Sequence, residues 1–278
     1  MSVVVTPDGT GRGVGPLLRE WRRRQGVSQL ELALRAGSSA RHISFIETGR
    51  TRPSQEMVLR LAEHLEVPVR ERNALLVAAG HAPHYPETPL DAAGMTALRR
   101  GLERMLTGLE PSPALVVDSL YRVHAFNRGI ALLLDGVAPW LLAPPVNAMR
   151  VVLHPEGLAP RICNFREWRG HLLAQMRRQM APARSVPLRE LYEEVAAYPL
   201  PPGGTAVAGG GPAPALPMVV ETAGERLSFL SAITTFNTPV DVTVSELALE
   251  TFVPADAGTA AALRRLVPPP QPDPERAQ

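Results

Sequence analysis

The feature that most constrains the chain is a run of five short amphipathic blocks between Gly15 and Gly80, each fenced by its own start and stop signals. Helices this short are marginal alone and persist only by burying their apolar stripes against one another. The blocks predict helices over 15–25, 28–36, 39–48, 54–66 and 69–79. Gly26 and Gly37 follow helix ends, where a left-handed residue costs little, and Ser28, Ser39 and Ser54 are suited to N-caps. Pro68 is compatible with a helix start. Trp21, Val27, Leu32, Ala33, Ile43, Ile46, Leu61 and Leu65 fall on the inward faces, and the small Ala33 lets two helices approach closely. An all-α head over 14–80 follows, preceded by a loose leader over 1–13.

Charge is distributed unevenly. Residues 1–80 hold 12 arginines against 8 acids, whereas 81–278 hold 17 against 19, so the modest net charge of +2 conceals a basic front. That is the direction expected of a segment that meets phosphate. The helix opening at Ser39 has a positive N-terminal end and carries Ala40, Arg41, Ser44 and Phe45 on its outward face.

The string Gly26-Val27-Ser28-Gln29, Leu32-Ala33, Ala36-Gly37-Ser38, Ile43-Ser44-Phe45-Ile46-Glu47-Thr48-Gly49-Arg50, Pro53-Ser54, Leu61-Ala62, Leu65-Glu66-Val67 resembles the Xre family of helix-turn-helix regulators, which includes lambda repressor and Cro. The resemblance implies that the third helix enters the major groove of a double-stranded DNA operator. Ala40, Arg41 and Phe45 are then the base readers, and Gln29, Ser39, Ser44, Arg50 and Arg52 the phosphate contacts. A guanidinium makes a bidentate contact to guanine, which favours Arg41. Arg22 and Glu47 are expected to form a structural ion pair. Family members commonly read two half-sites, which implies a homodimer.

Three prolines in 81–89 mark a linker, taken with a connecting helix to span 81–104. Beyond it, 114–118 and 121–126 read as two short strands around a turn, and 127–134, 161–181 and 188–197 as helices. Gly- and Pro-rich residues 198–217 predict a flexible loop, 218–222, 226–236 and 240–252 three strands, and 267–278 a disordered tail. Strands, then helices, then strands predict an α+β PAS-like domain over 105–266, an antiparallel sheet covered by helices.

Ala125-Phe126-Asn127-Arg128, the stretch from Asn147 through His154-Pro155-Glu156-Gly157 to Pro160, and Asn164-Phe165-Arg166-Glu167-Trp168-Arg169 resemble the MmyB-like ligand-binding domain. The resemblance implies an apolar cavity holding a small-molecule effector, a fatty acid or similar compound. Phe126, Met149, Trp168, Leu172, Met176, Phe229 and Phe236 are candidate lining residues, with Asn127 and Asn147 as polar anchors. For each of these, plain core packing or helix capping is the competing explanation. An alternative occupant class is a protein partner, as in antitoxin-like interaction modules.

Other functions find little support. Cys163 is the only cysteine, so neither an intrachain disulfide nor a thiolate cluster can form. No activating arrangement joins it to His154 or His171, and no paired catalytic carboxylates or phosphate-binding glycine loop is present, so no enzyme and no catalytic residue are expected. His81 and His84 are too sparse to predict a metal. No apolar run reaches a membrane span and the start has no secretory pattern, so a cytoplasmic protein is expected, free of the membrane.

Overall fold

The computed structural model describes residues 13–180, 185–201 and 215–268, so most of the leader, the 198–217 loop and the tail lie outside the described residues. The described chain divides into two units, one of 1–88 with 238–245 and one of 89–237 with 246–278.

The first unit is helical. It contains α1 (Val14–Arg24), α2 (Gln29–Arg35), α3 (Ala40–Glu47), α4 (Gln55–His64) and α5 (Val69–Ala78). The serine caps form as their positions require: Ser28, Ser39 and Ser54 side chains accept the backbone N–H groups of Glu31, His42 and Met57. Leu18, Trp21, Leu32, Ala33, Ile43, Ile46, Val58, Leu61, Leu65 and Leu76 close one buried core. A contact the periodicity did not disclose lies at Gly15. A Cβ there would stand 2.5 Å from the Ile46 carbonyl oxygen and 2.7 Å from that of Glu47, so α1 crosses the end of α3 at backbone distance. The start of the segment read as a linker is folded: the Asn73 side chain accepts the backbone N–H groups of His84 and Tyr85 and donates to the Tyr85 carbonyl.

The second unit is α+β. Its strands are β1 (Ala114–Val117), β2 (Val123–Phe126), β3 (Met218–Thr222), β4 (Glu225–Thr235) and β5 (Ala248–Pro254), ordered β2-β1-β5-β4-β3 and antiparallel throughout. The helices are α6 (Thr96–Gly108), α7 (Arg128–Leu134), α8 (Ala148–Leu153), α9 (Phe165–Met180), α10 (Val186–Ala197), α11 (Val242–Glu246, shared with the first unit) and α12 (Ala257–Leu266). This is the helix-covered antiparallel sheet the sequence implied, consistent with a PAS-like domain.

Strand alternation sends side chains to two cores. Leu115, Val117, Leu227, Phe229 and Phe252 join Ile130, Met149, Phe165, Trp168 and Leu191 on one face. Ala114, Val116 and Leu249 meet Leu102 and Leu106 of α6 on the other. Helix α6, assigned from sequence in part to a connecting segment, thus covers the back of the sheet.

Two elements differ from expectation. Residues 240–252 are not one strand: Asp241 accepts the Thr243 N–H and starts α11, so β5 begins only at Ala248. Helix α12 follows β5, capped by Asp256, whose side chain accepts the Thr259 N–H at 2.7 Å.

Candidate nucleic-acid interface and ligand cavity

In the head, α3 buries Ile43 and Ile46 and turns its opposite side outward. Arg41 is exposed, and Ala40, Ser44 and Phe45 are half-buried beside it. The Phe45 ring is flanked by two guanidinium groups, with Arg41 Cζ 5.2 Å and Arg50 Cζ 5.6 Å from its centroid. Each such contact contributes about 0.5–1 kcal/mol at an exposed site and limits where the side chains point. Ser39 is exposed at the N-cap of α3, its oxygen accepting the His42 N–H at 3.1 Å.

Beneath this face lies the ion pair. Arg22 donates Nε to Glu47 Oε1 at 2.6 Å and Nη2 to Oε2 at 2.9 Å, while Nη1 caps the Val27 carbonyl at 2.9 Å. The two side chains are only 11% and 2% exposed. Burial opposes ionisation of Glu47, but the hydrogen bonds from Arg22 and Gln29 and the charges of Arg22 and Arg19 outweigh it and hold the carboxyl below its usual range.

Two residues assigned to phosphate have other work here. Gln29 Nε2 donates to Glu47 Oε2 at 2.8 Å and so extends the buried network. Arg52 donates Nε to the Ala79 carbonyl at 2.7 Å and Nη2 to that of Gly80 at 2.5 Å. It therefore satisfies carbonyls left over at the end of α5, while the residue itself stays exposed. Arg50 remains exposed with its guanidinium over Phe45.

The second unit holds an apolar cavity of about 190 Å³, wider than the ~150 Å³ apolar hole that accommodates benzene. Phe126, Met149, Trp168 and Leu172 line it, joined by Leu115, Ile130, Leu133, Val151, Phe252 and Glu250. The remaining candidates lie elsewhere for physical reasons. Met176 and Phe229 are fully buried core residues, and Phe236 packs with the cluster under α6 on the opposite sheet face. Asn127 has every polar atom engaged: Oδ1 accepts the Ala114 and Ile130 N–H groups and Nδ2 donates to the Leu106 and Ser112 carbonyls. Asn147 caps α8 and donates Nδ2 to the Leu120 carbonyl at 2.8 Å. Neither asparagine lines the cavity.

Sequence reasoning missed Glu250. The signal was available, because Ala248, Glu250 and Phe252 share one face of β5 while Leu249 and Thr251 turn to the other, which puts a carboxyl among apolar side chains. Phe126, Leu115, Glu250 and Ile233 stand in one row across β2, β1, β5 and β4.

Cys163 Sγ lies 3.6 Å from Glu221 Oε1 with Arg226 beside it, whereas His154 packs edge-on to Trp140 and Tyr198 and His171 stacks on Trp168. Among the described residues no group of three metal-ligating side chains occurs, and no helix is long and apolar enough to cross a membrane.

Comparison with known proteins gives a family match for the helical head and another for the region that follows it. Residues 18–72 match the family described as "Helix-turn-helix", and residues 98–266 match "MmyB-like transcription regulator ligand binding domain". RghRB of Bacillus subtilis (strain 168), described as an uncharacterized HTH-type transcriptional regulator, is 35% identical over 101 residues, covering 33% of this chain and 70% of that protein. The crystal structure of the clp gene regulator ClgR from Corynebacterium glutamicum is 25% identical over 38% of this chain and 99% of its own, with a TM-score of 0.23 that says nothing about the fold. With the second family spanning more than half its length behind a helix-turn-helix head, the chain belongs to the MmyB-like transcription regulators, DNA-binding proteins that carry a ligand-binding domain.

Proposed function

We propose that this protein is a ligand-responsive regulator that reads its operator with α3 and whose operator affinity is set by an apolar, fatty-acid-like small molecule held in the cavity of the second unit. The observation that carries the DNA half is the outward face of α3, where Arg41 stands exposed opposite Ile43 and Ile46, with Arg50 at its rim. Arg41 takes the role of base reader. Ala40 and Phe45 contact base edges or a thymine methyl, and Ser39, Ser44 and Arg50 hold the phosphates. A homodimer would present two such helices to two half-sites.

The ligand half rests on the apolar wall of the cavity. An effector shifts operator affinity only by binding the DNA-competent and incompetent states unequally, and the coupling is reciprocal. The cytoplasm is the expected compartment for such a protein. A protein-binding role for the second unit is the rival reading, and the apolar lining and concave shape of the cavity favour the small molecule.

The test compares two arginines on operators selected from random duplex pools. Arg41→Ala should relax selection at particular base pairs, at a cost of about 1–3 kcal/mol for the preferred sequence. Arg50→Ala should weaken all sequences alike and reduce the slope of log affinity against log salt by about 1. Indistinguishable profiles for the two variants would overturn the assignment.

A further inference from the structure

Among the described residues, Glu250 is the only ionisable side chain in the cavity wall. Its Oε1 accepts the Ser231 hydroxyl at 2.7 Å, and no other hydrogen bond reaches the carboxyl among the described residues. Among the described residues no cation compensates it, and burial pushes the carboxyl up, outweighing the Ser231 bond. Nearby, the buried Tyr121 hydroxyl is satisfied by no hydrogen bond, although Gln175 is a neighbour. Burial first, then the charge of Glu250, pushes that phenol up to about 12.

Such surroundings favour the neutral acid over the carboxylate, and the neutral acid has an O–H to donate among apolar side chains. A buried donor left without an acceptor is costly, so a ligand that supplies one gains affinity from that contact. A ligand carboxylate at the same place brings a second acid, and two carboxyls in contact cannot both ionise.

We propose that Glu250 selects the head group of the effector: a molecule with a medium-length apolar body and a polar head free of negative charge, in preference to a fatty-acid carboxylate of equal length. An alcohol or ester accepts a hydrogen bond from the Glu250 O–H, whereas an alkylamine, already an ammonium ion at neutral pH, pairs with the ionised carboxyl while the Glu250 proton leaves to solvent. The proposal rests on the cavity being the effector site and narrows the fatty-acid-like reading to its chain.

The full-length protein, freed of small molecules, is titrated at neutral pH with octanol, methyl octanoate, octylamine and octanoate, and binding is followed by calorimetry. The three heads without negative charge should bind about tenfold or more tightly than octanoate, and lowering the pH towards protonation of octanoate should close the gap. In the near-isosteric Glu250→Gln, octanoate should approach octanol, because an amide donates to a carboxylate, and octylamine should lose its ion pair and about tenfold in affinity. The wild-type ranking tests the proposal even if the variant folds poorly. Octanoate binding at least as tightly as octanol and methyl octanoate would overturn the head-group assignment while leaving the cavity as a ligand site. Absence of binding by all four probes would remove the cavity reading together with it.

Discussion

At the residue scale, the buried charges decide most. Removing one partner of a buried pair strands the other, which costs about 3–5 kcal/mol. Glu47→Gln should therefore destabilise the head by about that amount in urea unfolding, and Arg22→Met with Glu47→Leu should recover much of the loss. A double variant no better than the single would contradict this account of the pair. Because the folded Glu47 carboxyl is held below its usual range, its contribution is present above the ordinary glutamate range and fades as pH falls through the lowered value. Glu250 has the opposite sign. Its folded value is raised, so its ionisation opposes folding as pH rises through the ordinary range, and Glu250→Gln should raise the melting temperature at neutral pH with the gain vanishing in acid. The Arg22–Glu47 ion pair was expected from the helix-turn-helix resemblance, whereas the capping role of Arg52 was not, since the loose end of α5 that it serves is close only in space.

At the element scale, local signals carried the head and faltered in the second unit. Helices α1 to α5 follow from serine caps and helical periodicity, and their bounds shift by no more than two residues from expectation. In 240–252, the β-branched Val242, Thr243 and Val244 read as strand, but the Asp241 cap and burial of Val242 impose a helical turn. Helix α12 had a readable start in Asp256 before an alanine-rich run, a signal passed over beside the strand that precedes it. The crossing of α1 over α3 depends on an absent side chain. Gly15→Ala should cost about 1–3 kcal/mol by forcing the two helices apart, although alanine is the better helix former. Denaturant unfolding checks this, and an unchanged or increased stability would show that the crossing has slack.

At the scale of the whole molecule, each unit has its own hydrophobic core. A variant that fills the cavity should therefore leave operator binding intact while abolishing any response to the effector. Ala148→Trp, in the cavity wall, is suited to this, with operator affinity measured alongside calorimetric binding of octanol. Loss of both functions together would argue that the cavity is merely part of a fold-wide core.

The most direct test of the central claim, that α3 reads base edges through Arg41, is methylation interference on the selected operator. The account predicts that methylating particular guanines at N7, in the major groove, blocks the wild-type protein and makes little further difference to Arg41→Ala. Interference confined to adenine N3 in the minor groove, or an identical guanine pattern for the two proteins, would contradict it.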